Sequence, residues 1–198
     1  MNIRRPNWPL ATFAVAAALT FSTLAARAQA PDPAVTSVEA FDADLLKAMK
    51  HTADGNLGAA VEKTFNMPLM AQFAVGPAWS QWSAPERQAL VTALNKYTTA
   101  RFGHDFGAFS GQKFIVDPEP QVRGADKLVR TQVRSGDDAP DHIDYRMRLS
   151  EGAWKVVDVY FNGVSELTTL RADWASTLAS GGASATVAKI DSATRLIK

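Results

Sequence analysis

Three histidines and one serine are the residues whose type and setting could support catalysis. His104 beside Asp105 has the makings of a general base and the carboxylate that orients it. Gly163-Val164-Ser165-Glu166-Leu167 begins like a nucleophile elbow, but Leu167 stands where that tight strand-to-helix turn needs its second glycine. Ser165 therefore reads as the cap of the helix that follows. Asp137-Asp138-Ala139-Pro140-Asp141-His142 gathers oxygen and imidazole donors, yet lacks the fixed Gly and Glu positions of a calcium loop and reads as an exposed hairpin tip. His51 falls in the last turn of a helix, where a cation suits the dipole, and His104–Asp105 reads as a solvated pair in a glycine-rich loop. No dinucleotide-binding, phosphate-loop or zinc-protease spacing occurs. With no cysteine there are no disulfides, thiolate metal sites or thiol nucleophiles. The sequence predicts no catalytic residue, metal or cofactor.

The elements that carry these residues follow from periodicity. Pro31 to Ala34 reads as an unstructured lead. Val38, Phe41, Leu45, Ala48 and Met49 recur at helical spacing from Thr36, and Asp54-Gly55-Asn56 ends that helix. A second helix is predicted over Leu57 to Phe65 and a short third from Pro68. Ser83 and Glu86 form a capping box that opens the longest helix, reaching about Phe102. Beyond Gly111 the period switches to two. Lys113–Asp117, Lys127–Arg134, Ile143–Ser150 and Trp154–Phe161 are strand candidates; Ile143, Tyr145, Met147 and Leu149 face one way, Asp144, Arg146 and Arg148 the other. Two closing helices are predicted, the first striped by Leu167, Leu170, Trp174 and Leu178 and stopped at Gly181-Gly182. Ser184 is the predicted cap of the second. Helices, four strands, then helices again describe an α+β fold rather than an alternating one.

Composition narrows the class further. The chain of 198 residues carries 21 Lys+Arg against 20 Asp+Glu, with 46% hydrophobic content, which is globular. Residues 1–30 hold Arg4, Arg5 and Arg27 with no acid, an apolar stretch from Leu10 to Ala26, and Ala28-Gln29-Ala30 before Pro31. That order is a secretory signal peptide, cleaved after Ala30 or alternatively after Ala28. The remaining 31–198, read as one domain, carries 18 basic and 20 acidic residues, which gives no bulk drive toward nucleic acid. A secreted domain without disulfides suits a bacterial periplasm.

Several stretches together resemble a known family: Asn66-Met67-Pro68-Leu69-Met70-Ala71 running to Gly76; Trp79 before Ser83-Ala84-Pro85-Glu86-Arg87; Tyr97 through Phe102; and Phe109-Ser110-Gly111-Gln112-Lys113-Phe114. The most specific is Trp154-Lys155-Val156-Val157-Asp158-Val159 with Asn162-Gly163-Val164-Ser165-Glu166-Leu167 and Arg171. The chain resembles the toluene-tolerance family of periplasmic phospholipid-binding proteins, of MlaC type, and is most similar to its hopanoid-biosynthesis-associated branch (HpnM). Gly103-His104 and Trp174 depart from the family pattern and bear on pocket shape.

The resemblance implies a curved antiparallel sheet of about four strands packed against a helical layer, with an apolar cavity between them for lipid tails. It implies a soluble shuttle carrying phospholipid or hopanoid between an inner-membrane transporter complex and an outer-membrane acceptor, with no catalysis. The expected cavity walls are Phe114, Val116, Val129, Val133, Tyr145, Met147, Val157, Val159 and Phe161 from strands. Met70, Phe73, Leu90, Leu94, Tyr97 and Leu170 face them from helices. Asp158, Ser165 and Arg171 are expected in structural roles: strand-end hydrogen bonding, a cap and a helix-to-sheet ion pair. The competing readings are a small periplasmic enzyme or interaction module on a cone-shaped α+β fold, and a scaffold with a packed core.

Overall fold

The computed structural model describes residues 30–51, 55–107, 111–136 and 139–197. The segment read as a signal peptide and the Asp137-Asp138 tip lie outside the described residues. Among the described residues no helix is long and apolar enough to cross a membrane. Residues 31–198 form one compact unit.

Among the described residues, five helices and six strands follow one another as α1 (Pro33–Met49), α2 (Leu57–Thr64), α3 (Met67–Val75), a 3-10 segment (Gly76–Gln81), α4 (Ala84–Asp105), β1 (Lys113–Val116), β2 (Gln121–Arg123), β3 (Asp126–Arg134), β4 (Asp141–Ser150), β5 (Ala153–Phe161), β6 (Val164–Ser165) and α5 (Glu166–Leu196). The α+β class stands. Side-chain caps start the helices: Asp32 Oδ1 accepts from Ala34 N at 2.9 Å, and Asn66 Oδ1 from Leu69 N at 3.0 Å. The Ser83–Glu86 box is closed in both directions. Asp32 as cap places the start of α1 inside the stretch expected to be unstructured.

Two boundaries correct the sequence expectations. First, α1 ends at Met49, and His51 lies beyond it at φ 52 rather than in the last turn. Second, α4 continues to Asp105, so His104 and Asp105 sit on a helix and not in a loop. The expected stop at Gly181-Gly182 is present: Gly182, at φ 59 and ψ −147, breaks α5 into two helical segments that meet across a kink, although Ser184 lies within the second segment rather than capping it.

The sheet is antiparallel, ordered β1-β3-β4-β5-β6, with β2 pairing β3 beside β1. β2 and β6 are the two strands the sequence did not signal; at three and two residues they are too short for alternation to register. A bulge lies between Arg146 and Met147, where β5 answers with Asp158 and then Val156. The extra residue, Val157, is buried but lies outside the main apolar cluster. One face of the sheet supplies Val129, Val133, Ile143, Tyr145, Met147, Val156 and Val159 to that cluster, against Leu90 and Leu94 of α4 and Phe41 and Leu45 of α1. Rings knit the layers edge to face: Phe41 lies 5.1 Å from Phe65, 5.3 Å from Phe102 and 6.0 Å from Tyr145.

Two carboxylates fix the frame. Asp126, 2% exposed at the start of β3, accepts from Arg146 Nε at 2.6 Å and Arg148 Nη2 at 2.9 Å. Burial opposes its ionisation, but those hydrogen bonds outweigh it and hold the carboxyl below the usual range. Asp158 joins sheet to α5: its Oδ1 accepts from Val159 N at 2.9 Å and Leu167 N at 3.2 Å, its Oδ2 from Ser165 Oγ at 2.7 Å. Ser165 Oγ in turn accepts from Thr168 N at 3.1 Å. This is the strand-end bonding and cap expected of these residues. Arg171 differs from expectation: it forms no ion pair to the sheet, and its guanidinium meets the Phe73 carbonyl at the end of α3. The same guanidinium crowds Gly76, which sits at φ +60 where glycine is favoured: a Cβ there would lie 3.0 Å from Arg171 Nη2.

Asp158→Ala strips two backbone donors and the Ser165 hydroxyl of their acceptor. It is expected to cost about 2–4 kcal/mol in urea unfolding. Ser165→Ala, which removes the cap and one of the three hydrogen bonds to Asp158, is expected to cost about 1–2 kcal/mol.

Candidate functional site

The gap between helices and sheet is nearly closed. Where α4 crosses the end of β5, Met70, Tyr97, Thr98, Arg101, Phe102, Val159, Phe161, Glu166 and Leu170 enclose a cavity of only about 20 Å3. Its body is apolar and its rim is polar. The Tyr97 hydroxyl donates to Glu166 Oε1 at 3.3 Å, and Arg101 Nη2 lies 3.1 Å from Asp105 Oδ2. Burial pushes the Glu166 carboxyl above its usual range, opposed by Arg101 and by the Tyr97 hydrogen bond. Burial, aided by Glu166, pushes the Tyr97 phenol up to about 12.

Five of the fifteen predicted wall residues line this cavity: Met70, Tyr97, Val159, Phe161 and Leu170. Leu90, Leu94, Val129, Val133, Tyr145 and Met147 instead belong to the close-packed cluster, while Phe114 and Val116 are half-buried against it. Phe73 is half-buried as well, with its ring under the guanidinium groups of Arg148 at 5.4 Å and Arg146 at 6.0 Å. Val157 is turned aside by the bulge. On α4 the wall is thus the Tyr97–Thr98–Arg101–Phe102 arc, which continues the leucine stripe one to two turns further along the helix. Phe102, Thr98, Arg101 and Glu166 were not predicted as wall; the i, i+4 pair Thr98 and Phe102 was their one signal.

Phe102 also borders a second, larger space. Leu45, Ala48, Met49, His51, Gly55, Leu57, Gly103, Phe106 and Gly107 join it around a cleft of about 210 Å3 between the ends of α1 and α4. The candidate catalytic groups lie elsewhere. His104 Nδ1 is 2.9 Å from Asp105 Oδ1 on an exposed turn of α4, and His104 lines neither space. His142 is an exposed residue of β4. Among the described residues no group of three or more His, Asp or Glu is arranged to hold a metal.

A family model described as MlaC protein matches residues 36–192. The chain belongs to the MlaC family. Among solved structures, it is similar to the phospholipid-binding protein from Ralstonia solanacearum, determined in complex with a phospholipid. That match has a TM-score of 0.72 at 21% identity, covering 84% of this chain and 99% of the other. At that identity the likeness is one of fold, and it places the MlaC-family chain on the α+β architecture described above.

A further buried acid, on α1, was missed by sequence, because a single Asp in an amphipathic helix looks solvent-facing. Asp42 of α1 is 3% exposed, accepts from the Tyr145 hydroxyl at 3.0 Å through Oδ1, and leaves Oδ2 without a partner. Burial raises its carboxyl to about 8, against the Tyr145 hydrogen bond that favours the anion. Since the folded pKa exceeds the unfolded one, the folded chain binds the extra proton. The stability that this proton confers is complete below about pH 4 and is lost as pH rises toward 8. Asp42→Asn is expected to flatten that decline in urea midpoints measured between pH 5 and 8.

Proposed function

We propose that this MlaC-family chain is a periplasmic lipid carrier. It holds the apolar part of a membrane lipid between its sheet and its helical layer and performs no chemistry. The observation that carries the reading is the apolar cavity under a polar rim, set where α4 faces the sheet. The phospholipid bound by the Ralstonia solanacearum protein of the same fold supports it.

Two acyl chains with about 30 methylenes would cost on the order of 20 kcal/mol to expose to water. A cavity walled by Met, Phe, Leu and Val offers them an environment close to that of a bilayer, so transfer is nearly balanced in free energy. Direction must then come from partners that favour the loaded or the empty carrier; an inner-membrane transporter complex and an outer-membrane acceptor are the partners this reading calls for. Small-molecule pockets span about 300–1,000 Å3, far above the 20 Å3 found here. Loading therefore requires the helical layer to part from the sheet, with lipid replacing contacts that the side chains now make with one another. The cargo is a phospholipid or, following the likeness to the hopanoid branch, a hopanoid.

The test is native mass spectrometry of protein isolated from a periplasm without detergent, followed by organic extraction. A stoichiometric lipid adduct is expected, and the extract distinguishes phospholipid from hopanoid. Leu170→Trp, which fills the cavity, is expected to lower bound lipid at least tenfold, while His104→Ala leaves it unchanged. A clean apo mass that persists after incubation with liposomes would refute the carrier.

A further inference from the structure

The small cavity and the larger cleft share a single wall residue. Thr98 and Phe102 stand at i, i+4 on α4 and Phe106 is the residue that caps its end, so the cavity lies along the last turns of the helix and the cleft at its C-terminus. Phe102 stands between them, 2% exposed, with ring contacts on several sides. Phe65 lies edge-on at 5.8 Å, Phe106 is stacked at 5.9 Å, and Phe161 is tilted at 6.0 Å. Beyond the ring the cleft is lined by Leu45, Met49, Leu57 and Phe106 and floored by Gly103. A Cβ at Gly103 would meet only Leu57 Cδ2, at 3.8 Å, so the glycine leaves room that a larger residue would take.

Building on the carrier reading, we infer that Phe102 is an internal gate. When its ring swings aside, the cavity and the cleft join into one channel, whose far half receives the distal end of a flexible acyl chain. The ring rotates about side-chain torsions and gives up contacts that an inserted hydrocarbon restores, so the aromatic cluster acts as a liner that exchanges partners. A passage opened by one ring admits a single thread of methylenes. A rigid fused-ring lipid stops at Phe102. The cleft therefore sets the chain length accepted and favours acyl lipids over polycyclic ones.

Gly103→Leu places an isobutyl group in the cleft and leaves the first cavity untouched. Replacing a helical glycine, here in the last turn of α4, also favours the helix, so this variant is expected to fold. The protein, produced from the full chain, is incubated with vesicles of dilauroyl- or distearoyl-phosphatidylglycerol, and retained lipid is counted by native mass spectrometry. Wild type is expected to retain both lipids. Gly103→Leu should retain the twelve-carbon lipid within twofold of wild type and lose the eighteen-carbon lipid at least tenfold. Leu57→Trp, which fills the cleft from the opposite side, should reproduce that selectivity. Equal loss of both lipids, or loss of neither, in the folded variants overturns the gate while leaving the carrier intact. Failure of wild type to retain either lipid overturns the carrier itself, and the gate with it.

Discussion

The apolar surface between sheet and helices must stay covered whether or not anything is bound there, and the rest of the structure depends on that constraint. An open cavity for two lipid tails would leave a broad hydrocarbon surface facing water, at roughly 25 cal/mol for every square ångström exposed. The chain avoids this by letting its own rings fill the space. Phe41, Phe65, Phe102 and Phe161 meet one another with centroids 5.1–6.0 Å apart, close enough for favourable edge-to-face contact. Such contacts are individually weak and have many near-equivalent arrangements, so the proposed cargo can replace them without a large net cost.

What must not move is held by polar groups instead. Asp126 gathers Arg146 and Arg148 on the sheet face away from the core. Asp158 binds the end of β5 to the first turn of α5. The buried Asp42–Tyr145 bond pins α1 to β4. Directional bonds of this kind are lost abruptly when stretched, unlike apolar contacts. The frame is thus stiff at the α1, β3 and β5–α5 junctions and at the start of α3, where Asn66 N donates to Val156 O at 2.8 Å and Asn66 Nδ2 to Ser150 Oγ at 3.1 Å, while α4 meets the sheet chiefly through side-chain packing. That division locates the give needed for loading on the α4 side.

Much of the fold was legible because its signals are local. The Ser83–Glu86 box, the Ser165 cap and the alternation from Ile143 to Leu149 each depend on neighbours within a few residues, and each appears where the sequence placed it. The bulge that turns Val157 aside was not legible, because the pairing of β5 with β4 decides it, and the two-residue β6, though it pairs with Tyr160 and Phe161 close by, is too short to show alternation. The site was read only in part for a related reason. Hydrophobic periodicity reports which face of α4 turns inward, and Leu90, Leu94, Tyr97 and Phe102 all do. It carries no information on whether the opposing layer meets that face or stands off from it. Leu90 and Leu94 face side chains that reach them and are fully buried, whereas one turn further on Tyr97 and Phe102 border a gap. The Asp42 position failed for the opposite reason, since its pairing with Tyr145 spans 103 residues.

The central claim, that lipid enters only when α4 parts from the sheet, can be tested by locking the two together. The chain has no cysteine, so Thr98→Cys with Val159→Cys introduces one candidate crosslink across the small cavity. Lipid uptake from phosphatidylglycerol vesicles is measured on the oxidised protein and again after reduction with dithiothreitol, with crosslinking verified by intact mass. The account predicts little or no uptake when oxidised and full uptake on reduction. Equal uptake in both states would contradict it, and would mean that the cargo rides elsewhere on the molecule.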